Sequence, residues 1–335
     1  MKTNTIRNLC ICGALTLAAV LLIVPPQAGA TSGTLVITTD TTLTEDHQGN
    51  ILINASKVTL DCAGHTVSGP GASGFNGGIE VTGLSGITVR RCNVTAFDVN
   101  GIYVGGGATD GRFESNVVYE NGNHGMHLDV GSGYVVLGNT CHDNGAIGIV
   151  LTGATNSWIV QNTTEGQHNW AGISLLGGSD NNWVLENTAN QNGAAIVLDG
   201  ASNNHVRYNS MSSNDNQRVL LIRSADHNII EFNVAKQNAI GFQLTDGAAS
   251  NQIRNNQSNG NSSSGFEVYQ SNSNMFVSNT AAKNGNYGFL VYGGSSYNTL
   301  IGNSAFGSGQ FDGYDEQTGT GNVWKNNHFI KTTGF

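Results

Sequence analysis

Charge is scarce in this chain. Asp, Glu, Lys and Arg make up 11% of its 335 residues, and 14 basic residues face 23 acidic ones, a net charge of −9. With no Lys/Arg cluster, the chain lacks the positive footprint that binds nucleic acid or an anionic membrane. The same balance repels a polyanion unless basic side chains gather locally. Proline is nearly missing: Pro25 and Pro26 precede residue 30, which leaves only Pro70. Cysteine is sparse too, with Cys62, Cys92 and Cys141 left after residue 30. No histidine pair at metal spacing accompanies them, so they carry no zinc signature. A disulfide between Cys62 and Cys92 is open, because export permits one and the two lie about one repeat apart, but their side chains need not face each other. No stretch holds a helical period long enough for a crossover helix.

The one apolar run sits near the start. Lys2 and Arg7 are followed by an apolar segment over residues 15–24, too short for a comfortable bilayer span, and then by Ala28-Gly29-Ala30. This order reads as a secretory signal peptide over residues 1–30. Its removal leaves 12 basic residues against 23 acidic ones, a net −11. The expectation is an exported protein, periplasmic or extracellular, with no membrane span after processing.

What the chain does have is repetition. Asn116, Asn139, Asn162, Asn187, Asn209, Asn233, Asn256, Asn279, Asn303 and Asn327 follow one another at 22 to 25 residues. Three positions before each asparagine the residue is nearly always apolar, from Phe113 and Val136 to Leu300 and Trp324. A strand of the form Gly-apolar-x-apolar comes about ten positions later, as in Gly101-Ile102-Tyr103-Val104 and Gly148-Ile149-Val150-Leu151. A second asparagine column follows five residues after the first: Asn121, Asn144, Asn192, Asn214, Asn238, Asn261 and Asn284. A fixed period of this size means one supersecondary unit copied many times. Apolar residues alternate within each strand, and three short strands at this period cannot fold as hairpins. The expected architecture is all-β, a single parallel solenoid of about 23 residues and three short strands per coil. Asparagine tolerates unusual turn backbones, and its amide both donates and accepts, so a stacked column satisfies polar groups at a buried turn.

With its asparagine ladder, its repeated Gly-Ile-x-Leu strand and the segment Leu60 to Gly69, the chain resembles the right-handed parallel β-helix superfamily, the pectate-lyase-like fold that includes NosD-like periplasmic proteins. The resemblance covers roughly residues 35–330 and is specific for fold rather than activity. The division expected is a signal peptide over 1–30, an N-terminal β cap over 31–57 and the β-helix with its C-terminal cap over 58–335.

Enzymes on this fold generally act in a groove over one sheet. Reading down the outward positions of the Gly-Ile-x-Leu strand brings Tyr103 and His127 one coil apart, with Asp129 on the same face. Such a pair can exchange a proton alpha to a uronate carboxylate, as a lyase or C5-epimerase does, with Asp129 orienting His127. That chemistry also needs a cation on the carboxylate; Arg218 and Arg223 are the basic candidates on this strand, about four coils away. His124 lies at the turn just upstream. His124, His127 and Asp129 supply ligands that would suit zinc or copper, though their spacing matches no strong motif, and no metal is assigned. The NosD-like resemblance points the same way, to copper handling. Trp158 and Trp183 share one position in consecutive coils and are candidates for a sugar platform, with His168 and Trp170 nearby to extend it. The alternative for the tryptophans is cross-strand packing. The leading expectation is an exported polysaccharide-binding or polysaccharide-modifying protein. The alternative is a non-catalytic scaffold, NosD-like and metal-linked. Cofactor, substrate and oligomeric state are left open by the sequence.

Overall fold

A computed structural model describes residues 31–167, 170–214 and 219–335. Among them every regular element is a strand, most of three residues and none longer than seven. The strands form three parallel sheets of 14, 15 and 13 strands. Each coil gives one strand to each sheet. Val117–Tyr119, Met126–Ser132 and Val135–Leu137 pair with Thr140–His142, Ile149–Thr155 and Trp158–Val160, their copies one coil on. Residues 31–57 already join this pattern, since Thr31–Ser32, Leu35–Ile37 and Thr41–Thr42 are the first strands of the three sheets. Near the other end Phe311–Asp315 continues the 15-stranded sheet. At the far end Trp324 stacks on Phe335 at 4.2 Å. Its Nε1 donates to Asp315 Oδ2 at 3.0 Å.

The core is a set of files rather than a globule. Ile79, Ile102, Met126, Ile149, Ile173 and Ile196 stand in register down the inside of the 15-stranded sheet, all fully buried. Phe242, Phe266 and Phe289 continue the file with centroids 4.8 and 4.7 Å apart. Like side chains meet like at coil spacing, so each rung covers the apolar surface of the next. Cys62 and Cys92 form a disulfide between neighbouring coils, with Cα atoms 4.7 Å apart. Cys141 is a buried free thiol.

The asparagine column is a hydrogen-bond ladder. The Nδ2 of Asn116 donates to Asn139 Oδ1 at 2.9 Å, and the same bond recurs rung by rung to Asn303 and Asn327 at 3.1 Å. Each Nδ2 also donates to a backbone carbonyl of the preceding coil, as Asn233 does to Val206 at 2.8 Å. The unusual backbone falls elsewhere than expected. The residue just before each ladder asparagine carries the positive φ, for example Gln161 at 54°, Tyr208 at 58° and Phe232 at 56°. That conformation costs a non-glycine residue about 1–2 kcal/mol. The asparagine that follows holds the bend by bonding the backbone around it. The column five residues later forms a second ladder. A third runs five residues before the first, through Asn182, Asn204, Asn228, Asn251, Asn274, Asn298 and Asn322. Its sequence signal is the asparagine that opens strands such as Asn204-His205 and Asn228-Ile229.

Candidate functional site

The strand register sets the site. On the outer face of the 15-stranded sheet Glu80 pairs with Tyr103, and Tyr103 with His127. The two rings meet edge to face, with centroids 5.5 Å apart. The Tyr103 hydroxyl donates to Asp129 Oδ2 at 3.1 Å. Gly105 makes this reach possible, because a Cβ there would lie 2.5 Å from the Tyr103 hydroxyl oxygen. Asp129 therefore partners the tyrosine, whereas the histidine expected to receive it bonds through Nε2 to Thr152 Oγ1 at 3.2 Å. Thr152 went unnoticed in the sequence, although the column of outward residues contains it. Glu80 flanks the other side of Tyr103, its Oε2 accepting from the Asn76 backbone at 2.7 Å.

His124 joins the group from the adjoining turn, its ring centroid 5.2 Å from that of His127. Its Nδ1 accepts from the Ile147 backbone N–H at 3.1 Å, which requires that nitrogen to be unprotonated. Burial, and next the charge of His127, hold its pKa down to about 4. Burial also lowers His127, partly opposed by Asp129. Burial raises Tyr103, helped by its bond to Asp129. At neutral pH the cluster thus holds a protonated phenol and two uncharged imidazoles, a proton donor beside proton acceptors.

The other candidates lie elsewhere. Arg223, about four rungs or roughly 19 Å along the sheet from His127, is committed to Asp199: its Nε donates to Asp199 Oδ1 at 3.0 Å and its Nη2 pairs with Oδ2. Arg218 and His168 lie outside the described residues. Trp158 and Trp183 sit on the 13-stranded sheet and stack on each other, centroids 5.2 Å apart and planes 5° off parallel. His205 covers the far side of Trp183 at 3.9 Å. Both faces of Trp183 are covered, whereas Trp158, 43% exposed, has a ring stacked on one side. Trp170 does not extend that stack. It stands exposed at the turn into Ala171–Leu176 of the 15-stranded sheet.

A family model described as "Right handed beta helix region" matches residues 29–189 and again 77–235. The chain belongs to the right-handed parallel β-helix family. A second model, "Periplasmic copper-binding protein (NosD)", matches residues 184–333. Among curated proteins none matches in sequence. Solved structures share the fold at low identity. The A-module of mannuronan C-5 epimerase from Azotobacter vinelandii is 14% identical with a TM-score of 0.60, covering 90% of this chain and 80% of that one. A mutant of a periplasmic alginate epimerase is 15% identical with a TM-score of 0.55, over 90% of this chain and 76% of that one. The Dettilon tailspike protein is 13% identical with a TM-score of 0.57, over 88% and 59%. At such identities these likenesses describe the fold alone.

Among the described residues of the matched segment, no cluster of side chains gathers to hold the copper that the second match names. Its histidines are His205, His227 and His328, and it holds no cysteine. His205 is stacked on Trp183 in one sheet, His328 lies in the strand His328–Phe329 of another, and His227 sits at a turn with φ 57°. Among the described residues no three His, Cys, Asp or Glu side chains gather closely enough to share an ion, so the set His124, His127 and Asp129 does not make one either. No helix among the described residues is long and apolar enough to cross a membrane.

Proposed function

We propose that this is an exported polysaccharide-binding β-helix protein whose ligand lies along the outer face of the 15-stranded sheet, gripped at Tyr103, His127, His124 and Asp129. The observation that carries this reading is the Tyr103–Asp129 hydrogen bond set beside two imidazoles on a sheet face. The core does not need these groups, and a half-buried row of donors and acceptors suits a hydroxyl-rich chain. Trp170 adds an exposed ring at the turn into the same sheet. Export is supported by the leader-like residues 1–30 and by the periplasmic family model.

A second reading makes the cluster catalytic, as a lyase or C5-epimerase of a uronate polymer. The charge states favour it: neutral His127 can take the C5 proton, and protonated Tyr103 can return one. The charge balance opposes it. Glu80 and Asp129 flank Tyr103, and Arg223 is already paired with Asp199, so the uronate carboxylate meets negative neighbours. The binding reading therefore leads.

Calorimetric titration with soluble glucan, mannan, xylan, galactan, alginate and polygalacturonate tests both readings. Binding of at least one polymer, weakened in Tyr103→Phe and His127→Ala with the melting temperature retained, is the expected result. No binding across the panel refutes the proposal. Unsaturated product absorbance, or an altered uronate ratio, that vanishes in His127→Ala would replace binding with catalysis.

A further inference from the structure

The same sheet face carries a second constellation near its other end. Gln243 and Glu267 are one coil apart in the column that contains Tyr103 and His127, five and six rungs, or about 24 and 29 Å, beyond His127. Both point outward from the solenoid, yet each is only 5% exposed. Gln243 Nε2 donates to Glu267 Oε2 at 2.9 Å. The Tyr292 hydroxyl reaches the same oxygen at 3.4 Å. This fixes the Gln243 amide, since turning it over would press its oxygen against the carboxylate. Its Oε1 is then buried with no hydrogen-bond partner. A buried acceptor left unpaired costs about 1–3 kcal/mol, and on an outer face that cost is recovered when a ligand supplies the donor.

The walls around this pair are aromatic. Tyr269 and Tyr292 lie beside Glu267 with centroids 4.8 Å apart. Tyr287 and Tyr314 close the next rungs at 5.4 Å. A carboxylate, an amide oxygen wanting a donor and ring surface make a site for adjacent hydroxyls on an apolar sugar ring. A cation fits poorly, because no three acidic or histidine side chains converge there among the described residues. A uronate fits poorly too, because Glu267 would face its carboxylate.

We propose that Gln243 and Glu267, walled by Tyr269, Tyr287, Tyr292 and Tyr314, form a second subsite that binds a neutral hexopyranose unit of the polysaccharide held at Tyr103 and His127. The subsite rests on the reading that the ligand runs along this sheet. It adds that the ligand is neutral and spans both ends of the face. A sugar hydroxyl donates to Glu267, and a shift of the covering rings lets its neighbour donate to Gln243 Oε1.

The test is calorimetric titration of the full chain with neutral glucan, mannan, xylan and galactan, and with alginate and polygalacturonate. The variants are Glu267→Gln, which keeps volume, Tyr269→Ala, and Tyr119→Ala on another sheet as a control. Expected are binding to a neutral polymer, a loss of about tenfold or more in Glu267→Gln and in Tyr269→Ala, and no change in Tyr119→Ala. Melting curves confirm that each variant is folded. Neutral binding that is lost in His127→Ala but untouched in Glu267→Gln and Tyr269→Ala overturns the subsite and leaves the first reading standing. Preference for the polyuronates overturns the neutral assignment. No binding to any polymer overturns both.

Discussion

The ladder asparagines hold this solenoid together at its bends, and Asn233 measures how strongly. It is fully buried. Its Oδ1 accepts from the Asn209 backbone N–H and from Asn209 Nδ2, both at 2.9 Å. Its Nδ2 donates to the Val206 carbonyl at 2.8 Å and to Asn256 Oδ1 at 3.0 Å. Asn233→Ala leaves the Asn209 N–H buried and unpaired and takes from the Val206 carbonyl one of its bonds, the other being its strand pairing. At about 1–3 kcal/mol for the stranded group, the expected loss is about 2–3 kcal/mol. Asn255 supplies the contrast. It sits next to another rung of the same ladder, is exposed and adopts φ 55°. Glycine takes that backbone freely, so Asn255→Gly should change stability by less than about 1 kcal/mol in either direction. Urea unfolding followed by circular dichroism gives both values from midpoint and slope. Equal effects at the two sites, or a loss below about 1 kcal/mol in Asn233→Ala, would mean that stacked amides contribute no net stability and that the files of apolar side chains hold the coils alone.

The Cys62–Cys92 bridge closes a separation of 30 residues, so the double Cys→Ala variant should lose about 3–4 kcal/mol in reversible unfolding, and an unchanged midpoint would show that the first coils do not unfold with the rest. The His124 pKa is depressed from 6.5 to about 4, so the unfolded chain binds the proton first as pH falls. Its share of stability is complete above pH 6.5 and drains away as pH drops through 4; proton NMR should show no His124 inflection between pH 8 and 5, and one near 6.5 would contradict the buried, Ile147-bonded ring. Trp158→Ala removes one end of the Trp158–Trp183–His205 stack. It should lower the melting temperature and leave polysaccharide binding intact, and the reverse pattern would restore the tryptophans as a sugar platform.

The fold was legible because a solenoid writes its geometry once per coil. The spacing of Asn116 to Asn327 contains the rung, and inward residues such as Ile102 and Ile149 contain the sheet. The third ladder through Asn182 and Asn322 escaped because it starts late and its first rung is Ser157, whose backbone N–H is paired by Asn182 Oδ1 at 2.8 Å. Register also placed Tyr103 beside His127, since pairing by coil needs only counting. Direction within a coil was harder. That Asp129 turns to Tyr103 rather than to His127 depends on the missing side chain at Gly105 and on Thr152 one rung further. That Trp158 and Trp183 stack face on face depends on rotamers, which no spacing encodes.

The same economy bears on why we propose one face as the functional one. Inside, the apolar files and three asparagine ladders pair or bury most of what each coil presents. On the 13-stranded sheet, neighbouring rungs also satisfy one another: Arg207 and Arg254 both bind Glu231, and Trp158 and His205 both cover Trp183. Among the described residues a few buried polar atoms lack a hydrogen-bond partner, among them Thr164 Oγ1, Asn204 Nδ2 and Gln243 Oε1, and of these three only the last stands on the outer face of the 15-stranded sheet. Tyr103, His124 and His127 bring a donor and acceptors to the surface at one end, and Gln243 keeps an unpaired oxygen five rungs on from His127. Packing does not ask for that oxygen to be buried, since a threonine or valine at position 243 would cover the sheet without an unpaired acceptor. On the proposed reading the Tyr103 cluster and Gln243 serve one long ligand, and the negative flanks at Glu80, Asp129 and Glu267 favour a chain that brings hydroxyls rather than carboxylates.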